Sequence, residues 1–120
     1  MKPEKRLQSE IHRTLTERPD TRLFRNNVGV AIENHHGIKR RIRYGLCPGS
    51  SDLIGWKTIT VTPDMVGQRL AIFTAVEVKS DGGRVSSGQR NFIDCVIDAG
   101  GRAGVARSVD QAREIVEGEV

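Results

Sequence analysis

Little cysteine, no long apolar run and no leader-like start narrow the field before any motif is read. Cys47 and Cys95 are too few for a disulfide framework. In a reducing compartment both are expected as free thiols, with Cys95 on a helix among apolar neighbours. There is no CxxC or HxxxH pair, which argues against a tetrahedral zinc site. No apolar stretch approaches the roughly 20 residues of a membrane-spanning helix. The first residues lack the apolar core of a secretory signal, so a cytoplasmic location without membrane association is expected. P-loop, GxGxxG, Ser/His/Asp and Cys/His arrangements are missing, as are repeats, low-complexity tracts and linkers. At 120 residues, 37% apolar and 28% charged, the chain can bury one core, and a single domain over residues 1–120 is expected.

What is there begins with charge. A formal net charge of +4 favours a polyanionic partner only weakly. Its distribution says more. Lys39, Arg40, Arg41 and Arg43 crowd a short stretch beside Tyr44, and Arg22 and Arg25 precede it. Such a stretch fits phosphate binding. It fits equally a solvated edge strand whose cations deter aggregation.

Leu7, Ile11 and Leu15 at four-residue spacing predict a helix over residues 3–17, with Pro3 in its first turn. Residues 23–32, rich in Val and Ile, read as a strand. A polar loop through Asn34-His35-His36-Gly37 joins it to a hairpin partner over 38–44. After the turn Pro48-Gly49-Ser50-Ser51, residues 52–56 form a short strand, which 58–62 extend or pair with. Residues 63–67 are a loop, and 70–79 give the strongest strand signal, ended by Asp81-Gly82-Gly83. A helix over 86–99, a strand over 103–107 and a helix over 109–117 complete a mixed α/β domain. His12 falls on the polar side of the first helix and is expected at the surface, and His35-His36 in a solvated loop.

Alternation along the strand ending at Lys79 gives one face to Ile72, Thr74, Val76 and Val78. The other holds Phe73, Ala75, Glu77 and Lys79. With valine on both sides, Glu77 is expected to be buried and to need a partner, either Lys79 or a metal ion. Alone, Glu-x-Lys is weak evidence. Asp52, opening an apolar strand after a turn, adds a second carboxylate, although an aspartate there often only caps or solvates. Two carboxylates suit Mg²⁺, which takes oxygen ligands and keeps waters. Lys79 could orient or deprotonate a water, or stabilise charge on a phosphate.

Asp52 followed by Glu77-Val78-Lys79 resembles the PD-(D/E)XK nuclease signature. The chain more closely resembles one branch of it, the VRR-NUC domain (virus-type replication-repair nuclease). The matching stretches are Arg25-Asn26-Asn27, Gly45, Gly49-Ser50-Ser51-Asp52-Leu53-Ile54-Gly55, Glu77-Val78-Lys79, Gln89, Gly100-Gly101 and Val105-Ala106-Arg107-Ser108. They run in order over nearly the whole chain. The signature's proline is not directly before Asp52, since Pro48 lies four residues earlier; this branch commonly has Ser-Asp there. Residues 58–68 look like an insertion.

The resemblance implies a restriction-endonuclease-like αβββαβ core, with a mixed central sheet flanked by helices. It implies hydrolysis of DNA phosphodiesters with Mg²⁺ or Mn²⁺. Asp52, Glu77, the backbone carbonyl of Val78 and a first-helix glutamate, directly or through water, would hold the ion. Lys79 and Gln89 would complete the catalytic set. Glu4, inside the apolar stripe of the first helix, matches the family's opening better than Glu10 at its edge. Gln89 also fits a local role, because Ser86-Ser87-Gly88-Gln89 is a capping box. DNA contacts are expected at Arg25, Asn27, Lys39, Arg40, Arg41, Arg43, Tyr44 and Ser51. The standalone type is similar to Holliday junction resolvases, which implies a homodimer of phage or prophage origin in a bacterial cell. A structure-selective endonuclease for branched, junction or flap DNA is thus expected. The alternatives are a catalytically inactive DNA-binding module and a sequence-specific restriction-type enzyme.

Overall fold

A computed structural model describes residues 3–118. The spacing of Leu7, Ile11 and Leu15 produces a helix, α1 (Pro3–Thr16). The chain divides after Lys57 into two compact units. The first holds α1 and the strands β1 (Thr21–Arg25), β2 (Gly29–His35), β3 (Ile38–Tyr44) and β4 (Leu53–Lys57).

Strands β1 and β4 pair antiparallel, with Leu23 opposite Gly55 and Phe24 opposite Ile54. The approach at Gly55 is close: a Cβ there would lie 1.8 Å from the Arg22 carbonyl oxygen. Helix α1 packs against β1. His12, expected at the surface, is half-buried, with Nε2 2.8 Å from the Leu23 carbonyl oxygen. At the far end of the ladder Lys57 lies 3.6 Å from Asp20. The Thr21 hydroxyl donating to Asp20, with Lys57 beside it, holds that carboxyl below its ordinary range.

The strand expected over 23–32 is two strands. It breaks at Asn26, whose amide is engaged by the loop before β4, and resumes at Gly29. β2 then forms a hairpin with β3 through His36 and Gly37, at φ 52° and 79°. A two-residue turn with both residues left-handed matches the twist of the flanking strands, and Gly37 adopts that conformation without a Cβ penalty.

The second unit contains β5 (Thr74–Val78), α2 (Ser87–Asp98), β6 (Arg102–Ala106) and α3 (Val109–Glu117), preceded by a 3₁₀ turn at Pro63–Met65. β5 and β6 are parallel, with α2 as the crossover. α2 turns Ile93 and Val96 inward; with Ala106 of β6 they are the buried apolar residues among those described, each at most 3% exposed. Ser86 caps α2 by accepting from the Gln89 N–H.

The class is α/β, as expected. The strands form three two-stranded sheets, β1–β4, β2–β3 and β5–β6, where one mixed central sheet was expected. Residues 58–62 form no strand, and the long strand signal over 70–79 yields only β5. The ladder with β6 begins at Thr74, opposite Arg102, so residues 70–73 lie outside it, with only the Phe73 carbonyl reaching β6 by accepting from the Arg102 N–H at 2.9 Å. Glu77 is correspondingly half-buried where burial was expected, and the neighbouring Val78 is 74% exposed. No described helix is long and apolar enough to cross a membrane.

Candidate active site

Asp52 sits at the surface of the first unit, immediately before β4. Its loop is held by Asn26. The Asn26 Nδ2 group donates to Ser50 Oγ at 2.7 Å and to the Ser51 carbonyl at 2.9 Å, while Oδ1 accepts from the Leu46 N–H at 2.9 Å. The Asn26 N–H donates to the Asp52 carbonyl at 2.8 Å. Ser50 Oγ donates in turn to the Cys47 carbonyl at 2.7 Å. One side chain thus uses donors and acceptor together to shape the turn that presents Asp52. The sequence placed Asn26 within the matching stretch Arg25-Asn26-Asn27 but gave the site role to Asn27 alone. The signal was available, since asparagine between a strand and a Gly-Ser-rich loop is a residue that competes for backbone groups.

In the second unit Glu77 and Lys79 lie two residues apart at the end of β5, on one face. Lys79 Nζ is 3.5 Å from Glu77 Oε1. Gln89, in the first turn of α2, donates from Nε2 to the same Oε1 at 2.8 Å, and its own Oε1 accepts from the Ser86 N–H at 3.0 Å. The capping box and the contact to Glu77 therefore coexist in one amide. Both described contacts of the Glu77 carboxylate fall on Oε1, and Oε2 has none among the described residues. The backbone past Lys79 is fixed by β6: the Lys79 N–H donates to the Ala106 carbonyl at 3.0 Å. Arg107 donates to the carbonyls of Ser80 and Gly83 at 2.7 and 2.8 Å.

Other expected residues are more scattered. Glu4 is exposed in the first turn of α1, and the stripe it shares is itself open, with Leu7 56% exposed. Arg25 donates to Ser9 Oγ at 3.1 Å; Asn27 and Ser51 are exposed. The basic stretch is divided by the hairpin. Register places Lys39, Arg41 and Arg43 on one face opposite Asn34, Ile32 and Val30. Arg40 and Tyr44 lie on the other, Arg40 paired with Glu33 at 3.1 Å and Tyr44 lying across Gly29.

No group of three or more His, Cys, Asp and Glu side chains stands together among the described residues. The donors at the end of β5 are hard oxygens nonetheless. The Glu77 carboxylate, with one oxygen unengaged among the described residues, suits a hard divalent cation.

A carboxylate, an ammonium and an amide meeting at a strand end are groups suited to a phosphate ester and its attacking water. A family model, the VRR-NUC domain, matches residues 2–110 and so spans both units. The chain belongs to the VRR-NUC family, a nuclease family, and DNA is the partner that membership implies. Comparisons with curated proteins and with solved structures gave no match.

Proposed function

We propose that the protein is a divalent-metal-dependent DNA endonuclease selective for branched, junction or flap structures, acting as a homodimer of the standalone phage type. The observation that carries the catalytic part is the Glu77 carboxylate held on Oε1 by Gln89 and Lys79, with Oε2 left for a further ligand. Membership of a nuclease family supports the reaction class.

In this reading Asp52, Glu77, the Val78 carbonyl and Glu4 would hold Mg²⁺ or Mn²⁺. The bound ion would polarise the scissile phosphate and make a neighbouring water a better nucleophile. Lys79 orients that water or stabilises negative charge as the P–O bond breaks. Gln89 fixes the rotamer of Glu77, and Asn26 fixes the loop of Asp52. Arg25, Asn27 and Ser51 contact the sugar-phosphate backbone. A two-fold dimer would offer one site to each strand of a branched substrate.

The test is nicking of supercoiled plasmid with Mg²⁺, Mn²⁺, Ca²⁺ or EDTA. Mg²⁺ and Mn²⁺ should support nicking. Ca²⁺, larger and less demanding in geometry, should allow binding with little cleavage. Undiminished nicking in EDTA would overturn the proposal.

A further inference from the structure

The β2–β3 hairpin is exposed to an unusual degree. Of its 14 strand residues only Gly29 and Glu33 are half-buried, and every residue of β3 is exposed. Within the first unit its extensive contacts are between its own two strands. A two-stranded hairpin alone is marginally stable in water. Here it also carries exposed apolar side chains, Ile32 at 70% and Ile38 at 65%.

Its two faces differ in charge. Lys39, Arg41 and Arg43 occupy one face at alternate positions, and none of their side chains has an ion pair or hydrogen bond among the described residues. They face Asn34, Ile32 and Val30, so no carboxylate opposes them across the ladder. On the other face Arg40 is neutralised by Glu33 at 3.1 Å. The basic stretch is thus one row of three unpaired cations, with the fourth turned away and paired.

We infer that this hairpin is a DNA-binding arm whose Lys39–Arg41–Arg43 face lies along the phosphates of duplex DNA. Alternate strand residues are about 6.8 Å apart, so three cations span roughly 13–14 Å. A strand of duplex DNA carries about four phosphates over that length. A two-stranded ribbon is also narrow enough to enter a major groove. The arm names how the substrate of the proposed nuclease is gripped and in that respect rests on the nuclease reading. Its charge asymmetry stands apart from catalysis.

The experiment is binding of a fluorescent duplex by anisotropy, in EDTA so that cleavage does not enter, between 50 and 200 mM salt. Lys39→Ala, Arg41→Ala and Arg43→Ala should each lower the steepness of log K against log salt by about 1. Arg41→Lys should retain the wild-type slope, because charge and not guanidinium geometry sets ion release. Arg40→Ala should leave the slope unchanged. Wild-type slopes in all three alanine variants would overturn the inference, as would a loss at Arg40 equal to that at Arg41. The two readings separate cleanly. A protein that gives these slopes but never nicks plasmid keeps the arm and loses the nuclease. One that nicks with Mg²⁺ while all three alanine slopes stay wild-type keeps the nuclease and loses the arm.

Discussion

Gln89 uses both ends of one amide, accepting from the Ser86 N–H through Oε1 and donating to Glu77 through Nε2. A substitution can separate the two roles. In Gln89→Glu a carboxylate oxygen still accepts from the Ser86 N–H, so α2 should remain capped. The donor to Glu77 is lost and two carboxylates face each other. If Gln89 positions Glu77, the cleavage rate should fall about tenfold or more, equivalent to about 1.4 kcal/mol, with little change in melting temperature. An unchanged rate would leave Gln89 as a cap alone. Asn26 poses the corresponding question for Asp52. Asn26→Ala removes three side-chain hydrogen bonds around the turn. At about 1 kcal/mol each, and with partial solvent replacement, the cost should be about 1–3 kcal/mol. Thermal denaturation should show the loss, and the Leu46 amide should exchange faster. Wild-type stability and exchange would show that the loop holds without Asn26.

Among the elements, the β1–β4 ladder depends on the absence of a side chain. A Cβ on Gly55 would fall 1.8 Å from a backbone oxygen, which no rotamer change can relieve. Gly55→Ala should therefore cost about 1–3 kcal/mol by forcing the strands apart, read as a lower denaturation midpoint; an unchanged midpoint would contradict the close approach. The pattern of what could be read from sequence follows from such contacts. α1, α2 and α3 were readable because local spacing and caps decide them: Leu7, Ile11 and Leu15 for α1, and Ser86 with Gln89 for α2. The last helix, Val109–Glu117, begins and ends where its sequence pattern does. Strands were readable only where a partner exists. Residues 70–73 carry strand-forming side chains, but pairing with β6 starts at Thr74 opposite Arg102. The break after Arg25 was hidden because it is made by hydrogen bonds from Asn26 to residues about 20 to 25 positions later. The same limit applied to His12, whose partner is the Leu23 carbonyl, and to Glu77, whose valine neighbours suggested a burial that Val78 does not have. The contact between Gln89 and Glu77 lay between the two. The capping box of Ser86 and Gln89 was legible in the sequence, and only the crossover geometry of β5 and α2 brings the other end of that amide to Glu77.

For the whole molecule, the family match runs through both units, with Asp52 in the first and Glu77, Lys79 and Gln89 in the second. The proposed assembly is a two-fold dimer, and light scattering at micromolar concentration, with and without branched DNA, should give twice the 13.3 kDa chain mass. A monomer mass under both conditions would remove the dimer. The central claim, that the Glu77–Lys79 strand end cleaves DNA, is tested most directly by the single-turnover rate of Lys79→Ala on plasmid or junction DNA at saturating Mg²⁺. With binding unchanged, the account predicts a fall of about 10²-fold or more, the size expected when a group that stabilises transition-state charge is removed. A folded Lys79→Ala protein cutting at the wild-type rate would contradict it.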